Sequence, residues 1–308
     1  RHRLSGAELK AILRACYEEI DTAWSLFNEG QRILAAPDAG DDAGSMPAML
    51  RQLHAMGGGI MPARQVVPDH LGRNLRRHGG HDQLEKFLHA TSDSLAAFYV
   101  ALVIQTAGNV DALRLIDRDC IEPHPLVEHR VTIDWRKGRA GHRLKRAQRR
   151  SFDRRRRYAA PNLIGMLLAM TAPLAAQAPV RERDYLFLMR RPSHGIGVVQ
   201  RTTLQTAIVR LVDRANACIG AWNVEHPDRQ RTPLPSFNPM MFRGSVAIEH
   251  YRASGGDIRV AQSILNHSDA SLTDRYIRSD QARRIQHETI ARLQGLMLSW
   301  IQAVPIGV

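Results

Sequence analysis

Three side chains near the C-terminal end have the types and spacing to act together. Arg243 lies about two dozen residues before His267, and Tyr276 follows His267 by nine. A guanidinium can meet two oxygens of one anion at once. A phenol attacks as a nucleophile only after losing a proton, and its ordinary pKa is near ~10, so its neighbours must assist. Each residue alone is commonplace: a lone Tyr on a helix usually packs, a helix-ending His is usually a surface residue, and an Arg can be an ion-pair partner. What singles them out is that they fall at short intervals along one frame of consecutive helices.

That frame is legible in residues 238–277. Pro239 suits the first turn of a helix. Met241, Phe242, Val246, Ile248 and Tyr251 can supply its core contacts, and Arg243 falls in its early turns. Gly255-Gly256 can end it and Asp257 can cap the next helix. Ile258, Ala261, Ile264 and Leu265 mark the buried face of that second helix, which stops at Asn266-His267-Ser268.

Upstream, Leu9, Ile12, Leu13, Ile20, Trp24 and Phe27 recur at helical spacing and predict a helix over 6–33, opened by a Ser5/Glu8 capping box. Residues 35–80 read as an irregular insertion with one short helix near 46–55. One long buried helix is expected over 82–106, ended by Gly108, with another short helix from Val110. Alternation of Val131, Ile133 and Trp135 with polar residues predicts a strand, and the glycines at 138 and 141 permit a turn after it. Further helices are expected at 161–177 and 201–219, with a strand at 185–188 between them. Residues 281–303 read as an amphipathic helix that packs on its own domain or docks on a neighbouring subunit. The sum is a mainly α domain with a small sheet.

Net charge is +13, from 43 Lys+Arg against 30 Asp+Glu. The excess favours a polyanionic partner through counterion release and steering. It is concentrated: 12 of the 22 residues from Arg136 to Arg157 are Lys or Arg. Ordinarily such a run is a solvated face; beside an anion-handling site it can hold phosphates. Cys16, Cys120 and Cys218 form neither a disulfide framework nor a zinc knuckle. A reducing cytosol is the expected compartment. His78 with His81, and His124 with His129, lack a supporting Cys or carboxylate pattern, so no metal is expected. Gly57-Gly58-Gly59 has no following Lys-Ser/Thr and is not a phosphate loop.

The run Gly256-Asp257-Ile258-Arg259-Val260-Ala261-Gln262-Ser263-Ile264-Leu265-Asn266-His267-Ser268, then Thr273-Asp274-Arg275-Tyr276, resembles the C-terminal signature of tyrosine recombinases, the phage-integrase family. The resemblance extends over roughly 4–295 and is strong in about the last 60 residues. It implies a catalytic domain over 1–295, mainly α with a small antiparallel β-sheet. A core-binding domain that would precede it is expected to lie outside this fragment. It also implies DNA cleavage and rejoining through a covalent 3′-phosphotyrosine, with no cofactor or metal, by a homo-oligomer, a tetramer on paired double-stranded sites.

By resemblance, Tyr276 is the nucleophile, Arg243 and His267 hold the scissile phosphate, and Lys137 is the general acid, with Lys145 its rival. Arg136, Arg139, Arg143, Lys145 and Arg146 would contact DNA. Two positions depart from the pattern. Thr106-Ala107-Gly108-Asn109 places Asn109 where the family has its first Arg, and Met240 stands where a His is usual. Asn109 also reads as a plain turn residue, and Arg114, one turn later, is a candidate to reach in instead. Two other functions fit these departures or this chemistry: a catalytically weakened DNA-binding accessory protein, and a DNA-relaxing enzyme like type IB topoisomerases.

Overall fold

The computed structural model describes residues 3–37, 42, 44–136, 147–191 and 195–265, with the isolated positions 273, 288, 289 and 294. These residues are mainly α-helical, with a small antiparallel sheet and a two-stranded ribbon. Helix α1 (Gly6–Ala35) opens with the expected capping box: the Ser5 side chain accepts from the Glu8 amide, and the Glu8 carboxylate accepts from the Ser5 amide at 2.7 Å. Its stripe of Leu9, Ile12, Cys16, Ile20 and Phe27 faces the main core.

Residues 35–80 are more regular than their composition predicts. Helix α2 (Met46–Met56) matches the expected short helix, but a second, α3 (Asp69–Arg77), follows it. Leu71 and Leu75, one turn apart, are buried against Met49, Leu50 and Leu53. With Leu84, Phe87 and Leu88 of α4 (His81–Leu88) they form a satellite core. The arginines of α3 masked this two-residue apolar stripe.

The long helix expected over 82–106 is two helices. After α4 the chain bends by 51° before α5 (Ser92–Thr106). His89 is extended, the Ala90 amide donates out of the helix to the Met170 carbonyl at 3.0 Å, and Thr91 caps α5 with Ser94. Helix α5 is buried on nearly every side, as an all-round apolar helix must be. A short helix, α6 (Val110–Arg114), follows it. No single described helix is long and apolar enough to cross a membrane.

Strands β1 (Ile121–Pro123), β2 (Arg130–Arg136) and β3 (Ala147–Asp153) form the sheet in chain order, all antiparallel. Val131 pairs with Phe152 and Ile133 with Arg150. Val131, Ile133 and Trp135 are buried, so this register places Arg150 on the inward face. Helix α7 (Ala160–Gln177) agrees with expectation. The strand expected at 185–188 is displaced: β4 (Leu188–Arg191) pairs with β5 (Gly195–Val198), because Tyr185 and Leu186 bond to Asp117 and Ile116 instead.

Helix α8 (Arg201–Glu225) runs six residues past its expected end. Helix α9 (Met240–Ala253) ends at Gly255-Gly256, both at positive φ, and Asp257 caps α10 (Ile258–Leu265) by accepting from the Arg259 amide at 2.8 Å. Helices α1, α7, α8 and α9 all pack on α5.

Two features of this core are testable. A Cβ on Gly30 of α1 would lie 2.0 Å from the Phe87 carbonyl oxygen. Gly30→Ala must therefore push α1 and α4 apart, and is expected to lower stability by about 1–3 kcal/mol in urea denaturation. His89 is fully buried, and burial pulls its pKa from 6.5 down to about 4. The unfolded chain binds this proton near pH ~6.5 and the folded chain only near pH 4. Its contribution is thus complete above 6.5 and declines as pH falls toward 4, by roughly 3 kcal/mol. In His89→Gln that part of the acid sensitivity should vanish from urea titrations at pH 7 and pH 4.

Candidate functional site

The site is built where α5 ends. Thr106 donates from its hydroxyl to the Leu102 carbonyl at 2.7 Å and accepts from the Gly108 amide at 3.1 Å. Ala107 adopts φ 45°, ψ 29°, and among the described residues no other non-glycine has positive φ. An L-residue with a Cβ pays roughly 1–2 kcal/mol for that conformation. Asn109 then caps α6: its side-chain oxygen accepts from the Asp111 amide at 3.0 Å and the Ala112 amide at 3.2 Å. Asn109 is thus a neutral amide committed to a helix N-terminus.

Arg243, in the first turns of α9, reaches back to this turn. Its guanidinium donates to the Ala107 carbonyl at 3.2 Å and to the Leu265 carbonyl. Arg150, from the inward face of β3, donates to the Thr106 and Ile264 carbonyls. Two guanidiniums therefore hold adjacent carbonyls at the ends of α5 and α10. Terminal carbonyls lack partners within their own helix and carry the negative end of its dipole, so cations suit them.

Arg150 also lies over the buried Trp135 ring, 5.8 Å from its centroid. Burial, and then the positive charge of Arg243, pull its pKa from the usual 12.5 to about 10. Among the described residues no carboxylate pairs with Arg150. Its neighbour Arg149, on the outward face, contrasts with it by bridging Asp134 at 2.7 Å and Glu122 at 2.9 Å. His250, seven residues after Arg243 on α9, is near enough for the Arg150 charge to add to desolvation in lowering its pKa.

Of the other residues singled out by sequence, Arg114 donates to the Val199 carbonyl at 3.0 Å. It lines a small cleft with Tyr99, Arg201 and Met240. Met240 opens α9, is 58% exposed, and has Arg201 Nη2 3.5 Å from its sulfur. Arg136 is the last residue of β2, opposite Ala147. Lys137, Arg139, Arg143, Lys145, Arg146, His267 and Tyr276 lie outside the described residues, as does most of 281–303. The structure thus joins Arg243 to the 106–109 turn and brings in Arg150, which sequence reasoning had left within a basic run. The available signal was the period-2 alternation of β3, which sets Arg150 in phase with Phe152.

A possible cation cluster lies elsewhere. Ligand atoms of His81, Asp82 and Glu85 fall within 4.8 Å of one another, a grouping the sequence spacing did not single out. However, Asp82 is held by Arg64 at 2.6 Å and Glu85 by Arg190 at 3.2 Å. With two guanidiniums already neutralising the carboxylates, ion pairing accounts for the group. The neighbouring cleft, about 560 Å³, is lined by Arg64, Asp82, Glu85, Asp93 and Arg190 and contains none of the residues around Arg243.

Solved structures similar to the chain include DNA recombinases. One is XerH site-specific recombinase bound to palindromic difH substrate, in a post-cleavage complex. It aligns at TM-score 0.42 and 14% identity over 66% of this chain and 48% of that one. The pre-cleavage complex of XerH with difH substrate aligns at TM-score 0.40 and 13% identity, over 61% and 44%. The chain spans less than half the length of either. No protein-family model and no curated protein matches the sequence.

If Asn109 is a cap, Asn109→Ala should cost about 1 kcal/mol in thermal or urea denaturation, while Asn109→Asp, which keeps the acceptor, should not. Equal losses in both variants would contradict the capping role.

Proposed function

We propose that the chain is the DNA-cleaving domain of a tyrosine-type site-specific recombinase. The observation that carries this reading is the spacing of Arg243, His267 and Tyr276 and the types of the residues between them. It is supported by the Arg243 guanidinium lying at the last residue of α10, two residues before His267.

In this mechanism the Tyr276 oxygen attacks the scissile phosphorus in line. The bond to the 5′ oxygen breaks, leaving a 3′-phosphotyrosine and a free 5′-hydroxyl. Arg243 meets the non-bridging oxygens, where negative charge grows. His267 hydrogen-bonds the same phosphate, and Lys137 protonates the departing 5′ oxygen. Attack by a 5′-hydroxyl from another strand reverses the step and restores a phosphodiester, so bonds balance without an external energy source. The basic run 136–157, including Arg136, Arg139, Arg143, Lys145 and Arg146, would hold the DNA backbone without reading sequence. A homo-tetramer on paired sites belongs to the same proposal.

A second reading, a weakened DNA-binding accessory protein, is favoured by the capping role of Asn109. Loss of one oxyanion donor costs roughly 10²–10³ in rate.

The test uses duplexes selected from a random pool by binding, then nicked to trap covalent intermediates. Wild type should yield a denaturation-resistant protein–DNA adduct, and Tyr276→Phe should yield none. An adduct from Tyr276→Phe would refute the nucleophile. Binding without an adduct from wild type would favour the accessory protein, and relaxation of plasmids lacking the selected site would favour a topoisomerase-like enzyme.

A further inference from the structure

We propose that Arg150 is a catalytic residue that contacts the scissile phosphate beside Arg243, as the second guanidinium of the site. This rests on the reading of the chain as a DNA strand transferase, and it adds a residue that the sequence signature does not contain.

The first argument is energetic. Arg150 occupies an inward position of β3, opposite the fully buried Ile133. Removing a guanidinium from water is costly unless an opposite charge replaces the lost hydration. Carbonyls at Thr106 and Ile264 meet it, but they are neutral, and the like charge of Arg243 is close. Its neighbour Arg149, on the outward face of the same strand, pairs with Asp134 and Glu122. Among the described residues Arg150 has no such partner. A phosphodiester, an anion with two non-bridging oxygens, is the kind of group that two close guanidiniums can hold together.

The second argument is geometric. Arg150 bonds the Thr106 and Ile264 carbonyls, and Arg243 bonds the next carbonyl in each case, Ala107 and Leu265. The two planar groups are therefore held side by side by the same two chain ends. A guanidinium has five N–H donors, and the carbonyls use two of those on Arg150. Three remain for an oxyanion, and the anchoring fixes their plane beforehand.

The third argument is one of supply. The Asn109 side chain is committed to the α6 cap and carries no charge. The Arg114 guanidinium is anchored to the Val199 carbonyl, on the side of Arg201 and Met240. Among the described residues, Arg150 is the guanidinium that shares both chain ends with Arg243.

A clamp that merely joins α5 to α10 would use the same carbonyl bonds, so the experiment must separate charge from scaffolding. Single-turnover adduct formation is measured for wild type, Arg150→Gln and Arg150→Lys on the trapping duplex. It is repeated on the same duplex with a methylphosphonate at the scissile position, where one non-bridging oxygen becomes an uncharged methyl. Arg150→Gln should slow adduct formation about 10²–10³-fold on the phosphate, with rates compared at saturating DNA and below the variant's thermal midpoint so that neither affinity nor unfolding enters the comparison. Arg150→Lys should fall between the two. On the methylphosphonate, which needs less positive charge, the gap between wild type and Arg150→Gln should shrink to under about tenfold, a rescue that lost scaffolding cannot produce. Equal deficits on both duplexes, or no deficit on either, would overturn the role of Arg150 while wild-type adducts leave the broader reading intact. If Arg150→Gln does not fold, Arg150→Lys carries the same comparison. Absence of any wild-type adduct overturns the reading and the inference together.

Discussion

Helices α5 and α10 lie far apart in the sequence, at Ser92–Thr106 and Ile258–Leu265, yet their last carbonyls are gathered by the same two side chains. Arg243 takes one carbonyl from the turn after α5 and one from the end of α10, and Arg150 takes the pair just before them. Each helix alone would leave these oxygens to water. Held by guanidiniums, they bring the sheet, the central helix and the C-terminal helices to one point. The rest of the architecture serves this meeting. Helix α5 is wrapped by α1, α7, α8 and α9, so its end is fixed. The capped turn at Asp257 fixes the entry of α10. The arrangement leaves two like charges close together in a partly desolvated place, which is unfavourable in isolation and suited to an anionic ligand.

Much of this could be read from the residues. The Ser5/Glu8 box, the glycines at 255 and 256, and the cap at Asp257 are local signals whose physics needs no distant partner, and each stands as expected. Signals that depend on distant contacts were not legible. The bend at His89 is hidden within continuous apolar sequence, because its cause is a bond from the Ala90 amide to Met170, far along the chain. Helix α3 was obscured because only Leu71 and Leu75 form its stripe, and what buries them lies on α2 and α4. Arg150 was hidden among arginines: within β3 only Phe152 marks its phase as apolar, and its partner Ile133 lies on another strand.

Asn109 illustrates how one position can answer two questions. A sequence pattern marks it as an absent guanidinium. Its contacts mark it as the residue that starts α6. Only the second is a matter of structure, and the backbone around it has a demanding shape, with Ala107 left-handed and Gly108 so close to Leu113 that a Cβ there would fall 2.6 Å from its Cδ1. The turn presents its carbonyls at Thr106 and Ala107 to Arg150 and Arg243.

The apolar cluster of α2, α3 and α4 is separate from the main core, and a 51° bend lies between α4 and α5. Cooperativity follows continuity of packing, so such a cluster can open while the central helix stays protected. Amide exchange along 46–88 would then proceed through a partial opening that leaves the guanidinium pair assembled. Exchange protection would then divide the chain into a well-protected body around α5 and a less protected annex of α2, α3 and α4.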